Sequence, residues 1–269
     1  MKTLKRMVKN ILTALGYEFY NSGQAVSYNN FTNLAQAYEQ QLNDLGCSII
    51  ENEIRVNLIS KSLGTPPSEA YFIVKALAEC KDVKGDVCEF GVAQGQTSAL
   101  IANEIQCSDK ILHLFDSFEG LPMPTAKDQL KDDIYSLGDM DSYAGKMSCP
   151  EEMVRTRLEE ISFPLNRTVI HKGFIEKVLG SDLNLPEKVS FAYLDFDFYE
   201  PIKTGLEFLH QVTSAGSVII VDDYDFFSTG SKTAVDEFIE EKNLNEMIYE
   251  CYIPDTRYGY FAVVTRKSN

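Results

Sequence analysis

"VSFAYLDFDFYE" (189–200) decides how this chain is read: an apolar run closes on Asp195 and Asp197. "SVIIVDDYDF" (217–226) repeats the ending with Asp222 and Asp223, and Asp195 and Asp222 are 27 positions apart. Acids after one strand suit a solvated turn or a helix cap. Two strands that end this way at matched depth suggest a place where something is bound.

Working outward, apolar strand-like runs alternate with helical patterns, the signature of a parallel α/β sheet. "DVCEFG" (86–91), "ILHLFDS" (111–117), "TVIHKG" (168–173), "SFAYLDFD" (190–197) and "SVIIVDD" (217–223) read as five successive strands. Between the fourth and fifth, "YEPIKTGLEFLHQV" (199–212) sets Ile202, Leu206, Leu209 and Val212 on one side of a helix. Upstream, Pro66 and Pro67 suit a helix start, and Tyr71, Val74, Leu77 and Ala78 share a face before Gly85 closes the segment. The chain finishes with "EMIYECYIP" (246–254) and "YGYFAVVTRK" (258–267), joined by a connection too short for a helical crossover and suited to an antiparallel hairpin. The expected fold class is α/β: a Rossmann-like, seven-stranded, mostly parallel sheet ending in an antiparallel hairpin.

Two stretches stand outside this rhythm. Residues 1–63 read as an N-terminal helical extension, a cap or dimerisation element, ahead of a main domain over 64–269. Its first turns place Lys2, Lys5, Arg6 and Lys9 among Leu4, Met7, Val8, Ile11, Leu12 and Leu15. That basic amphipathic pattern fits weak contact with a membrane surface or partner, but a helix packed on its own domain is the preferred reading. The extension is also a candidate homodimer interface. The second stretch, 119–150, is polar, carries Gly and Pro, and is longer than an ordinary connection, so it is expected to be a substrate-facing lid.

Composition bounds the function. An apolar content of 44% is that of a globular protein. The net charge of −15 argues against a nucleic-acid partner, because phosphate backbones are gripped by clustered Lys and Arg. The six cysteines form no Cys-x-x-Cys pair and read as reduced thiols of a cytoplasmic protein. No apolar stretch has the length of a transmembrane helix.

The chemistry gathers at strand ends. In "CEFGVAQGQTSAL" (88–100), Glu89 ends a strand, Gly91 and Gly95 occupy a turn, and a helix opens near Thr97. Glycines there let the backbone approach a ligand, and the helix start offers unpaired N–H groups. The spacing is neither the Gly-x-Gly-x-x-Gly of dinucleotide sites nor a phosphate-binding P-loop. Asp116 ends the second strand, where an acid can accept from both hydroxyls of a ribose. Glu89 with Asp116 therefore fits a cofactor that carries an adenosine and a positive charge but no phosphate, a description that S-adenosylmethionine (SAM) meets. Asp195, Asp222 and Asp223 would converge if the fourth and fifth strands are neighbours. Their mutual repulsion calls for a cation, and hard oxygen donors without Cys or His select Mg²⁺ or a similar ion. By side-chain alternation, Asp195 and Asp197 should share one side. His113 reads as buried within its strand; His171 ends a strand near the same edge.

Taken together, "GDVCEFGVAQGQTS", "LHLFDSFEGLP", "HKGF", "LDFDFYEPIKTGLEFL" and "SAGSVIIVDDYDF" resemble the macrocin O-methyltransferase family, SAM-dependent enzymes that act on antibiotic sugars. The resemblance spans roughly residues 64–250 and implies the class I methyltransferase fold. It implies that Glu89, Gly91, Asp116 and Ser117 hold SAM, with Gly95, Thr97 and Gly173 also at the cofactor. Asp195, Asp222 and Asp223 match the metal ligands, and Asp195 or Asp197 takes the proton of a hydroxyl being methylated. The acceptor is expected to be a sugar hydroxyl on a small molecule, natural product or glycan, with a phenolic acceptor second. The competing readings are a nucleotide-binding α/β protein that is no methyltransferase and a purely structural acidic cluster.

Overall fold

The computed structural model describes residues 52–62, 64–181 and 184–267. The expected basic helix, and with it all of the N-terminal extension before residue 52, lies outside the described residues. Seven strands form one sheet: β1 (Asp86–Phe90), β2 (Leu112–Asp116), β3 (Thr168–Lys172), β4 (Val189–Leu194), β5 (Thr213–Val221), β6 (Tyr249–Tyr252) and β7 (Ala262–Arg266). Their order is β3-β2-β1-β4-β5-β7-β6. The first five run parallel, while β7 pairs antiparallel with both β5 and β6. The expected hairpin is present, and its second strand is the one seated against β5. The chain reverses direction of travel across the sheet between β1 and β4, the switch point at which open α/β sheets leave a crevice.

Helices α1 (Glu53–Lys61), α2 (Pro67–Glu79), α3 (Gln96–Glu104), α4 (Glu151–Glu160), α5 (Ile175–Ser181), α6 (Tyr199–Val212) and α7 (Gly230–Lys242) cover the sheet. Alternation along the strands assigns the faces. Phe90 and Leu194 join Ile202, Leu206 and Leu209 of α6 in one core; each fully buried aliphatic of this kind contributes about 2 kcal/mol. Helix α6 lies so close to β4 that a Cβ on Gly205 would stand 2.8 Å from Leu194 Cδ1. On the opposite face, the Tyr193 hydroxyl reaches Glu69 of α2. Helix α2 begins where Pro66 and Pro67 suggest, and buries Tyr71, Ile73, Val74 and Leu77.

Residues 117–150 contain one short 3₁₀ turn, Asp141–Tyr143, and an isolated bridge from Leu130 to Ser228. The stretch is nonetheless built around buried side chains: Leu121, Met140 and Tyr143 pack with Phe198 and Phe227. The Tyr143 hydroxyl donates to Asp133 Oδ1 at 2.9 Å. Among the described residues, no helix is long and apolar enough to cross a membrane, and the five described cysteines are free.

Candidate active site

Strand register aligns the site. Phe90 pairs with Phe115 and Leu194, Leu194 with Val221, and Asp116 with Lys172. The next residues, Gly91, Asp195, Asp222 and Gly173, therefore stand with Asp116 along the carboxyl edge of the sheet, where α/β proteins bind ligands. Gly91, Asp116, Ser117 and Gly173 line one side of the pocket there, and Asp195, Asp197, Asp222 and Asp223 line the other. The stretch 117–150 contributes Leu121, Ile134, Tyr135 and Met147 to the lining.

The glycine turn is fixed by space and by Asp116. Gly91 has φ +85°, and a Cβ there would lie 1.6 Å from the Asp195 carbonyl oxygen. Gly95, at φ +75°, caps α3. Asp116 Oδ2 accepts from the backbone N–H groups of Val92 and Ala93 at 2.7 and 3.0 Å, and Oδ1 from Phe118 N–H at 2.6 Å. One carboxylate thus ties two loops together while still facing the pocket. Ser117 Oγ accepts from Glu119 N–H and donates to the Gly120 carbonyl, each at 3.0 Å.

Three residues of the cofactor expectation, Glu89, Gly95 and Thr97, stand outside the pocket wall. Glu89 is buried on the α2–α3 side, where Ser98 of α3 donates to its Oε2 and its Oε1 has no hydrogen-bond partner among the described residues. Burial pushes its carboxyl up to about 8. Thr97 Oγ1 meets Thr65 Oγ1 at 2.6 Å. Ala93, whose φ of +44° puts it in the left-handed region, does line the pocket. Nothing in the sequence singles it out.

The acids converge by tight turns rather than by strand alternation. Strand β4 stops at Leu194, and Phe198 N–H donates to the Phe196 carbonyl at 2.5 Å around Asp197, whose φ is +62°. A three-residue turn of this sense is rare and strained. Asp223 has φ +55° just after β5. Asp195, Asp197 and Asp223 each present a carboxylate oxygen, and these atoms lie within 4.8 Å of one another. Asp222, expected in that set, lines the same pocket but is otherwise engaged. Its Oδ2 accepts from the Tyr193 hydroxyl at 2.5 Å and its Oδ1 from Asp223 N–H at 2.7 Å.

Burial pushes the carboxyls of Asp195, Asp197 and Asp223 well above the usual carboxylate range, and the neighbouring carboxylates add to it. Burial likewise raises Asp222. Burial, then Asp222 and Asp195, raises Glu69 beneath the cluster. A bare group of this kind holds protons that a cation would displace. All-oxygen donors with no His or Cys among them suit a hard divalent ion. The histidines are elsewhere. His113 and His171 are buried, their ring nitrogens 2.9 Å apart, and His171 stacks on Phe115 instead of facing the pocket.

A seven-stranded sheet with its last strand inserted antiparallel, and a glycine turn and acidic strand ends at one pocket, define a Rossmann-like methyltransferase. The sequence profile of the macrocin-O-methyltransferase (TylF) family matches residues 73–256, and the chain belongs to that family. It is accordingly an O-methyltransferase of the SAM-dependent class. Solved structures share the fold. The O-methyltransferase NovP is 21% identical with a TM-score of 0.60, covering 76% of this chain and 81% of its own. The calicheamicin methyltransferase CalS11 is 18% identical with a TM-score of 0.56, covering 94% and 96%. A second, apo structure of CalS11, described as a TDP-rhamnose 3′-O-methyltransferase, has a TM-score of 0.52 at 17% identity over 94% and 98%. No curated protein matches the sequence significantly.

Proposed function

We propose that this chain methylates a hydroxyl of a sugar, free or carried on a natural product or glycan, using SAM and a divalent cation such as Mg²⁺. The observation that carries the reading is the convergence of four aspartates from two strand ends on the pocket that the glycine turn also lines. The membership of the family, and the sugar substrate named for CalS11, support the choice of acceptor.

SAM is assigned to Gly91, Asp116, Ser117 and Gly173, with Glu89, Gly95 and Thr97 supporting the turn and the start of α3. Its sulfonium supplies the electrophilic methyl group. The cation, expected at Asp195, Asp222 and Asp223, is assigned to Asp195 and Asp223, with Asp197 at their side and Asp222 bracing the Asp223 turn. It supplies positive charge that offsets the carboxylates and lowers the pKa of a nearby hydroxyl. Asp197, at the apex of its turn, takes the hydroxyl proton, with Asp195 the adjacent alternative. The role rests on position: the Asp197 carboxylate reaches within 4.8 Å of those of Asp195 and Asp223 in the pocket. Leu121, Ile134 and Met147 exclude water from the pocket, and the 119–150 stretch acts as the lid.

The test is a panel of sugar nucleotides, glycosides and phenols incubated with SAM and Mg²⁺ and read by mass spectrometry. Methylated sugars support the reading. Methylation of phenols alone moves the acceptor to that class, and no transfer to either refutes the acceptor assignment.

A further inference from the structure

The acidic strand ends rest on a buried polar column that the methyl-transfer reading leaves without a role. Tyr193 lies within β4 and Glu69 within α2; they are 0% and 1% exposed. The Tyr193 hydroxyl stands 2.5 Å from Asp222 Oδ2 and 3.1 Å from Glu69 Oε1. From Asp222 the column continues upward. Its Oδ1 accepts from Asp223 N–H at 2.7 Å, its own N–H donates to the Leu194 carbonyl at 2.9 Å, and Ser231 Oγ donates to its carbonyl at 2.8 Å.

The column answers a mechanical problem. Asp223 is a non-glycine residue at φ +55°, a conformation that the surroundings must enforce. Asp222 bonds its backbone N–H, and Asp222 is itself held from below by the fully buried phenol of Tyr193. A fully buried tyrosine can keep its hydroxyl there only with a partner, and two carboxylates supply it.

We propose that Tyr193 and Glu69 are positioning residues for the cation site: Tyr193 fixes the Asp222 carboxylate, Asp222 fixes the Asp223 turn, and Glu69 fixes Tyr193 from α2. The inference rests on the assignment of the cation to these strand ends. It goes beyond that assignment by making α2, outside the sequence stretches that carry the site, part of its support. Partners behind a metal ligand of this kind change metal affinity by about 10- to 100-fold when removed.

The test uses the full chain carrying Tyr193→Phe, which keeps the ring and deletes the hydroxyl. Calorimetry with Mg²⁺ and, separately, with SAM reads the two sites, and a crystal structure without added metal reads the turn. The expected result is Mg²⁺ affinity lowered by about 10- to 100-fold, SAM affinity unchanged, and the Asp222–Asp223 turn displaced. Unchanged Mg²⁺ affinity in a folded variant overturns the proposal, as does an equal loss of Mg²⁺ and SAM affinity. If Tyr193→Phe does not fold, Glu69→Ala and Glu69→Gln replace it. The glutamine is expected to restore most of the Mg²⁺ affinity that alanine loses, and equal losses overturn the proposal. If the wild-type chain binds no Mg²⁺, the cation assignment fails by itself. The positioning claim is then decided by the crystal structure of the variant: a displaced turn supports it and an unmoved turn overturns it.

Discussion

The Cβ that Gly91 lacks would stand 1.6 Å from the carbonyl oxygen of Asp195. The glycine turn after β1 and the acidic end of β4 are thus in close backbone contact. Any side chain at Gly91 must push β4 aside or force the turn out of its φ of +85°. Gly91→Ala is expected to lower stability by about 3 kcal/mol or more and to weaken both SAM and Mg²⁺ binding. Denaturant unfolding with calorimetry checks this; unaltered stability would mean that the contact is looser than the structure shows.

Asp116 holds three backbone N–H groups from two loops. Asp116→Ala leaves all three without that partner, at about 1–3 kcal/mol for each donor that water cannot reach. SAM affinity should fall at least tenfold, and Asp116→Asn, which keeps an acceptor oxygen, should fall less. Affinity retained in the alanine variant would limit Asp116 to a structural role.

Asp197→Asn tests the proton acceptor. The amide is nearly isosteric and cannot take the proton, so kcat should drop by about 10²–10⁴-fold with SAM affinity unchanged. A drop of that size for Asp195→Asn and none for Asp197→Asn, at saturating Mg²⁺, would move the role to Asp195.

Glu89 gives a pH signature. Burial raises its carboxyl from 4.5 to about 8, so the folded state binds that proton more tightly than the unfolded chain. The associated stability is fully present below pH 4.5 and declines as pH rises through about 8. Within that window the slope from this one group is about 1.4 kcal/mol per pH unit. The aspartate cluster, raised in the same sense, adds to the decline in metal-free protein. Glu89→Gln should therefore unfold with a shallower pH dependence than wild type, and superimposable slopes would contradict the assignment.

Much of this architecture is legible in the sequence because it depends on local pattern. Helix α6 occupies the very stretch, Tyr199–Val212, whose apolar spacing marks it, and the five parallel strands fall where the apolar runs lie. The matched depth of Asp195 and Asp222 also follows from pattern, since both succeed paired residues, Leu194 and Val221. What pattern cannot convey is how the chain leaves a strand. Alternation predicts that Asp195 and Asp197 share a side, whereas a tight turn at Asp197 brings them together after β4 has ended. The engagement of Asp222 by Tyr193 is invisible for a similar reason. A tyrosine within a strand reads as core, and its hydroxyl partner Glu69 is 124 positions away. Glu89 reads as a cofactor acid because it ends an apolar strand, yet Gly91, not Glu89, faces the pocket.

The most direct test of the central claim is methyl transfer from SAM to a sugar hydroxyl, measured with the cation chelated and then restored. The account predicts that chelation abolishes transfer, that Mg²⁺ restores it, and that SAM still binds throughout. Transfer that proceeds undiminished in excess chelator would show that the four aspartates serve some purpose other than holding a cation.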